Sequence, residues 1–182
     1  DSLPALALGV EPVEEGAMSR PPRDPHASLF AHGFARRLAW QGAMVGALTL
    51  AAWLLGGWVL PGPAAPMAAA NTMAFATLTL SQLFHAFDVR SEEASLFHIG
   101  VFSNPAMNRA FLIGLAMQLA VLCVPPLQAV FRTVPMSPIQ WAAVLALAVT
   151  PVAVCECAKA IARRRARPKK RRPAEKIPAG RP

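Results

Sequence analysis

From residue 38 to residue 87 the chain runs without a single Asp, Glu, Lys or Arg, and two further charge-free runs cover 110–131 and 133–155. A helix of about 22 residues is about 33 Å long, enough to cross a hydrocarbon core of about 30 Å. The Pro-Gly-Pro stretch at 61–63 splits the longest run in two. The apolar spans are therefore 38–60, 66–87, 110–131 and 138 to about 158, and Glu156 is the one charge among them. Four such helices could pack as a soluble core only under a generous polar coat. With 54% hydrophobic and 15% charged residues this chain has none to offer, so the pattern predicts an all-α membrane protein with four transmembrane helices. Helices are expected near 38–60, 66–88, 108–131 and 138–165, with Trp40, Trp58 and Trp141 near their ends, where interfacial aromatics sit.

The net charge of +8 is distributed to one side. Arg20, Arg23, Arg36 and Arg37 precede the first span, Arg90 and Arg109 flank the second and third, and eight of the ten residues from Arg163 to Arg172 are cationic. The connections 61–65 and 132–137 hold only Arg132. Basic residues collect on the cytoplasmic side, so both ends are expected in the cytoplasm of a multi-pass protein of the cell (plasma) membrane. The basic tail follows a span directly, which points to anionic membrane lipids and not to nucleic acid as its partner. Its prolines predict disorder. The chain divides into 1–37, a helix end and a Pro/Arg loop; 38–162, the membrane domain; and 163–182, the tail.

Polar groups inside spans are expensive in lipid and draw attention for that reason. Asn71 and Thr72 are expected to cap the second helix, and His85 to pack near its cytoplasmic end. Gly42-x-x-x-Gly46 predicts a close helix contact, with a helix that this chain does not itself supply. Glu156 and Lys159 have the spacing of an i,i+3 ion pair. Cys123, Cys155 and Cys157 are expected as small buried apolar residues. Cys155-Glu156-Cys157 raises the question of a soft-metal site, and no metal is expected there.

Several ordered segments carry a family resemblance. DSLPALALGVEP followed by AMSRPPR resembles the end of the sixth helix and the next loop of P-type cation-transporting ATPases of the calcium-pump group, where the pattern is N-x-x-T-D-G-x-P-A-x-A-L-G with a later M-x-R-P-P-R. Asn71 to Phe75 and Ser81 to Ser91 are similar to that family's eighth helix, Pro126 to Phe131 to the end of the ninth, and Glu156-x-x-Lys159 to the close of the tenth. The resemblance covers residues 1 to about 162. It implies family helices seven to ten plus the tail end of a preceding helix.

The resemblance also assigns roles. Asp1 matches the ion-coordinating aspartate, and a hard cation crossing a membrane needs such an oxygen ligand. Pro4 would leave backbone carbonyls free beside it, although Ser2 replaces the family glycine. Gln82 stands where two-ion calcium pumps carry a glutamate and one-ion relatives a glutamine; hydrogen bonding to a neighbouring helix is the other reading of this residue. Arg20, Pro21, Pro22 and Arg23 lie in a loop that helps couple phosphorylation to the ion site. Ca²⁺ is implied as the transported ion, with Mn²⁺, Na⁺ and H⁺ left open. Mg²⁺ and ATP would act in other domains, because the chain contains no Asp-Lys-Thr-Gly-Thr and so no phosphorylation or nucleotide chemistry of its own. The implied partner is the N-terminal part of the same pump. A free-standing four-helix membrane scaffold or regulatory subunit is the alternative.

Overall fold

The computed structural model describes residues 2–11, 34–90, 100 and 102–166. Asp1, the Arg20–Arg23 loop and the tail beyond residue 166 lie outside them. All regular structure among the described residues is helical: α1 (Ser2–Leu8), α2 (Phe34–Leu54), α3 (Pro66–Asp88), α4 (Pro105–Cys123), α5 (Pro125–Phe131) and α6 (Pro138–Ala166). Three of these stretches are long and apolar enough to cross a membrane: Ala35–Val59, Pro105–Cys123 and Pro138–Arg164.

The fourth long helix, α3, has the length but is more polar, and it is the centre of the bundle. It touches α1, α2, α4 and α6. Ala69, Ala70, Met73, Ala76 and Leu80 are buried along it. Together with Ala52, Leu122, Val144 and Ala148 most of these form the main core. Small residues let neighbouring helices approach closely. Hydroxyls are tolerated here because they bond back to the helix: Thr72 Oγ1 to the Ala68 carbonyl at 2.9 Å, Thr79 Oγ1 to that of Phe75 at 2.8 Å, and Ser81 Oγ to that of Thr77 at 2.5 Å.

Several local expectations are corrected. Asn71 and Thr72 do not cap α3, which starts five residues earlier with Ala65 as N-cap and Pro66 in the first turn, where a missing N–H costs nothing. Asn71 Oδ1 accepts from Trp53 Nε1 at 3.0 Å, and Thr72 Oγ1 accepts from the Val134 amide at 3.1 Å. At its far end α2 widens into a single π turn over Leu55–Val59, closed by Leu60 N to the Leu55 carbonyl at 2.8 Å. A close helix contact within the chain, which the sequence did not single out, is made there. A Cβ on Gly56 would lie 2.8 Å from Met73 Sδ and 2.9 Å from Ala70 Cα, whereas one on Gly42 or Gly46 meets nothing within 4 Å. Cys155 is buried as expected, but Cys123 and Cys157 are exposed.

The expected single helix over 108–131 is two helices, and the reason is Pro125-Pro126. Neither residue has an N–H to donate, so the carbonyls four residues back, on Val121 and Leu122, lose their helical partners. Both are recovered by side chains from beyond the break. Thr133 Oγ1 donates to the Val121 carbonyl at 2.9 Å and Gln128 Nε2 to the Leu122 carbonyl at 2.6 Å. Val124 is extended between the helices, with φ −91° and ψ 117°. Buried backbone acceptors must be paired, above all in lipid.

The connections 61–65 and 132–137 lie together at one end of the bundle. Ser137 Oγ donates to the Pro61 carbonyl at 3.0 Å and Gln140 Nε2 to that of Leu60 at 3.2 Å. At the other end the exits of α1 and α3 meet the start of α4.

Candidate functional site

The first turn of α1 brings Leu3 and Pro4 to the rim of an open recess of about 530 Å³, shared with α3, α4 and α5. Polar atoms enter it from two helices. Gln82 and Thr79 line it from α3, and Gln118 lines it from α4. The Thr79 hydroxyl bonds within its own helix; the other polar side chains of the wall are Gln82 and Gln118. Gln118 Nε2 is buried and has no hydrogen-bond partner among the described residues. A buried amide proton left unpaired costs about 1–3 kcal/mol, so this is a place where an acceptor would be welcome. The α3–α4 contact beside the recess is tight: a Cβ on Gly114 would lie 3.0 Å from Leu83 Cδ1.

Of the residues singled out from the sequence, Gln82 therefore stands at the recess. Asp1, Arg20, Pro21, Pro22 and Arg23 are outside the described residues. Pro4 sits in the first turn of α1, a position that tolerates proline, and it interrupts no helical pairing among the described residues. His85 lies one turn beyond Gln82 and does not line the recess.

The orientation of α1, and so of the recess rim, is held by a polar knot that the sequence did not announce. Arg90 donates to the Glu11 carboxylate through Nε at 3.0 and 3.1 Å and through Nη2 at 2.6 Å. The same guanidinium reaches the Gly100 carbonyl at 3.1 Å and Ser103 Oγ at 2.6 Å. Asn104 Nδ2 donates to Glu11 Oε2 at 2.6 Å and to the Ala7 carbonyl at 3.2 Å, while its Oδ1 caps α4 by accepting from the Met107 amide at 3.0 Å. Burial alone would raise the Glu11 carboxyl. The hydrogen bonds from Arg90 and Asn104 and the charge of Arg90 outweigh burial and hold it below the ordinary 4.5. Arg90 had been legible only as one more basic residue of a loop. Its partner is 79 residues away in sequence, beyond the reach of any spacing rule.

A second buried pair joins α3 to α6. Lys159 Nζ lies 2.9 Å from Asp88 Oδ1 and 2.8 Å from the Asp88 carbonyl, both shorter than its 3.5 Å to Glu156 Oε1. The expected Glu156–Lys159 pair exists, yet the closer partner is Asp88.

Comparison with known proteins bears on what this arrangement is for. The chain is 37% identical to calcium-transporting ATPase 1 of Bacillus cereus, over 87% of this chain and 19% of that protein. It is also 37% identical to the calcium-transporting ATPase of Bacillus subtilis, over 83% of this chain and 16% of that protein. The rat calcium-transporting ATPase type 2C member 2 is 33% identical over 73% of this chain and 14% of its own length. The chain thus spans less than a fifth of the length of the relatives it matches. Residues 1–161 match the family model described as cation transporting ATPase, C-terminus, and the chain, a multi-pass membrane protein by its helices, belongs to that family.

Proposed function

We propose that these helices form the C-terminal membrane part of an ATP-driven calcium pump, and that Asp1 and Gln82 contribute oxygen ligands to a single calcium site. The observation that carries this reading is that the start of α1, the segment led by Asp1, and Gln82 of α3 meet at one recess. A hard divalent cation is held by carboxylate and amide oxygens. Asp1 supplies formal charge to the site, which a cation leaving water requires. Gln82 supplies at most a neutral oxygen, so a second, carboxylate-dependent site is not formed and one ion moves per cycle.

Membership of the family supports the rest of the reading. ATP and Mg²⁺ act in cytoplasmic domains that these residues do not include, and the N-terminal helices of the pump complete the ion site. Arg20, Pro21, Pro22 and Arg23 form a stiff, basic loop that transmits phosphorylation to the site. Both ends of the chain face the cytoplasm of a plasma membrane, with the basic tail against anionic lipid.

The test is calcium binding and transport by the complete, reconstituted pump. Asp1→Ala is expected to abolish transport, and Gln82→Ala to weaken calcium affinity by no more than the loss of one neutral hydrogen-bonding group, about 1–2 kcal/mol or about 5–30-fold. Two calcium ions bound per pump, or undiminished transport by Asp1→Ala, would show the reading to be wrong.

A further inference from the structure

One cluster is absorbed neither by the recess nor by the Glu11 knot. His85 and Asp88 stand one turn apart at the end of α3, and Cys155 faces them from α6. The nearest ligand atoms of the three all lie within 4.8 Å of one another, and His85 Nδ1 is 3.9 Å from Asp88 Oδ2. Cys155 and Asp88 are buried, at 4% and 1% exposure. His85 Nδ1 and Asp88 Oδ2 are both buried without a hydrogen-bond partner among the described residues. Two unpaired polar atoms turned toward a thiol between packed helices are an expensive arrangement if nothing joins them.

We propose that His85, Asp88 and Cys155 bind a borderline divalent metal of the zinc class, which clasps the end of α3 to α6. The donor set is one imidazole nitrogen, one carboxylate oxygen and one sulfur, a combination suited to zinc and poorly suited to calcium, which takes oxygen alone. Zinc bonds of about 2.0–2.3 Å place tetrahedral donors roughly 3.4–3.7 Å apart, so closing the cluster takes side-chain movements of about 1 Å or less. The surroundings are those of an outer ligand shell. Lys159 holds Asp88 by Oδ1 and its carbonyl, which leaves Oδ2 to face the metal. Gln41 Nε2 donates to Cys155 Sγ at 3.5 Å. Such partners orient ligands and fix which atom coordinates. Binding releases the Cys155 thiol proton to solvent, so Asp88 and the thiolate together neutralise the dication. Cys157, the other half of the Cys-Glu-Cys sequence, is exposed and takes no part.

The experiment is titration of the purified full chain, stripped with a chelator and held in detergent, with Co²⁺ as spectroscopic probe and Zn²⁺ as competitor. One Co²⁺ per chain is expected, with a thiolate-to-cobalt charge-transfer band that stoichiometric Zn²⁺ displaces and excess Ca²⁺ does not. Cys155→Ser should remove the band and Cys157→Ser should keep it. His85→Gln should weaken binding by more than the roughly 10–100-fold typical of losing an outer-shell partner. Should Cys155→Ser not fold, zinc-edge X-ray absorption of the unmodified chain gives the same answer, with one sulfur expected in the metal's first shell. No band, a band that survives in folded Cys155→Ser, displacement by Ca²⁺, or a zinc shell without sulfur would overturn the proposal and leave the cluster as part of an ion-pair network only.

Discussion

Asp88 is 1% exposed and Lys159 7%, so each is the other's main compensation for leaving water. Replacing a buried pair with apolar residues is often harmless, but removing one partner strands the other charge. Lys159→Met is therefore expected to destabilise the bundle by about 3–5 kcal/mol. Glu156→Gln, which loses the longer of the two contacts, should cost about 1 kcal/mol or less. Thermal unfolding in detergent, followed by circular dichroism, measures both. Glu11 makes a prediction of the opposite kind, in pH. Its folded pKa lies below the ordinary 4.5, so its contribution is fully present above about 4.5 and is lost as pH falls through the depressed folded value. Glu11→Gln should abolish that acid-dependent loss, seen as a flatter stability profile below about pH 4.5. The sequence showed the Glu156–Lys159 spacing because both residues lie on one helix. It could not show Asp88 with Lys159 or Glu11 with Arg90, because those pairs are made only when distant segments pack.

Among the elements, the broken third span shows most clearly how sequence and structure diverge. A charge-free run over 110–131 reads as one helix because apolarity does not register a missing N–H. The prolines were visible; the compensation by Gln128 and Thr133 was not. That compensation is testable. Gln128→Leu leaves the Leu122 carbonyl without its side-chain donor and should cost about 1–3 kcal/mol, while Gln128→Glu, which is unable to donate when ionised, should not restore the loss. Chemical unfolding of the two variants against the parent chain would measure it. Within the described residues the tightest glycine contact between helices is at Gly56, while Gly42 and Gly46 face open space, which leaves the expected contact there for a helix outside the chain. Gly56→Leu should destabilise by about 1–3 kcal/mol through overpacking against Ala70 and Met73. Gly42→Leu should leave the same chain within about 0.5 kcal/mol of its parent.

For the molecule as a whole, length and charge were enough to read an all-helical membrane bundle, since both follow from the solvent the chain must cross. The recess was legible in part. Gln82 stood out by resemblance; Gln118 carried only the general signal of a polar residue inside a span, and no motif or spacing tied it to Gln82 before the helices packed. The bundle also predicts sidedness. Single cysteines at Gly62 and Ser137, in a background without the native thiols, should label from one face of the membrane and one at Ser103 from the other. Labelling of all three from the same face would contradict the topology. The polarity of α3 has a further consequence, for biosynthesis. A segment bearing Asn71, Thr72, Ser81, Gln82, His85 and Asp88 partitions poorly into lipid when it leaves the translocation channel alone. Only a short turn separates it from α2, which is apolar enough to cross a membrane by itself where α3 is not, so the two should enter as a hairpin, with α2 carrying its neighbour across. Fused singly to an insertion reporter, α3 should then remain largely outside the bilayer, and restoring α2 in front of it should bring it in.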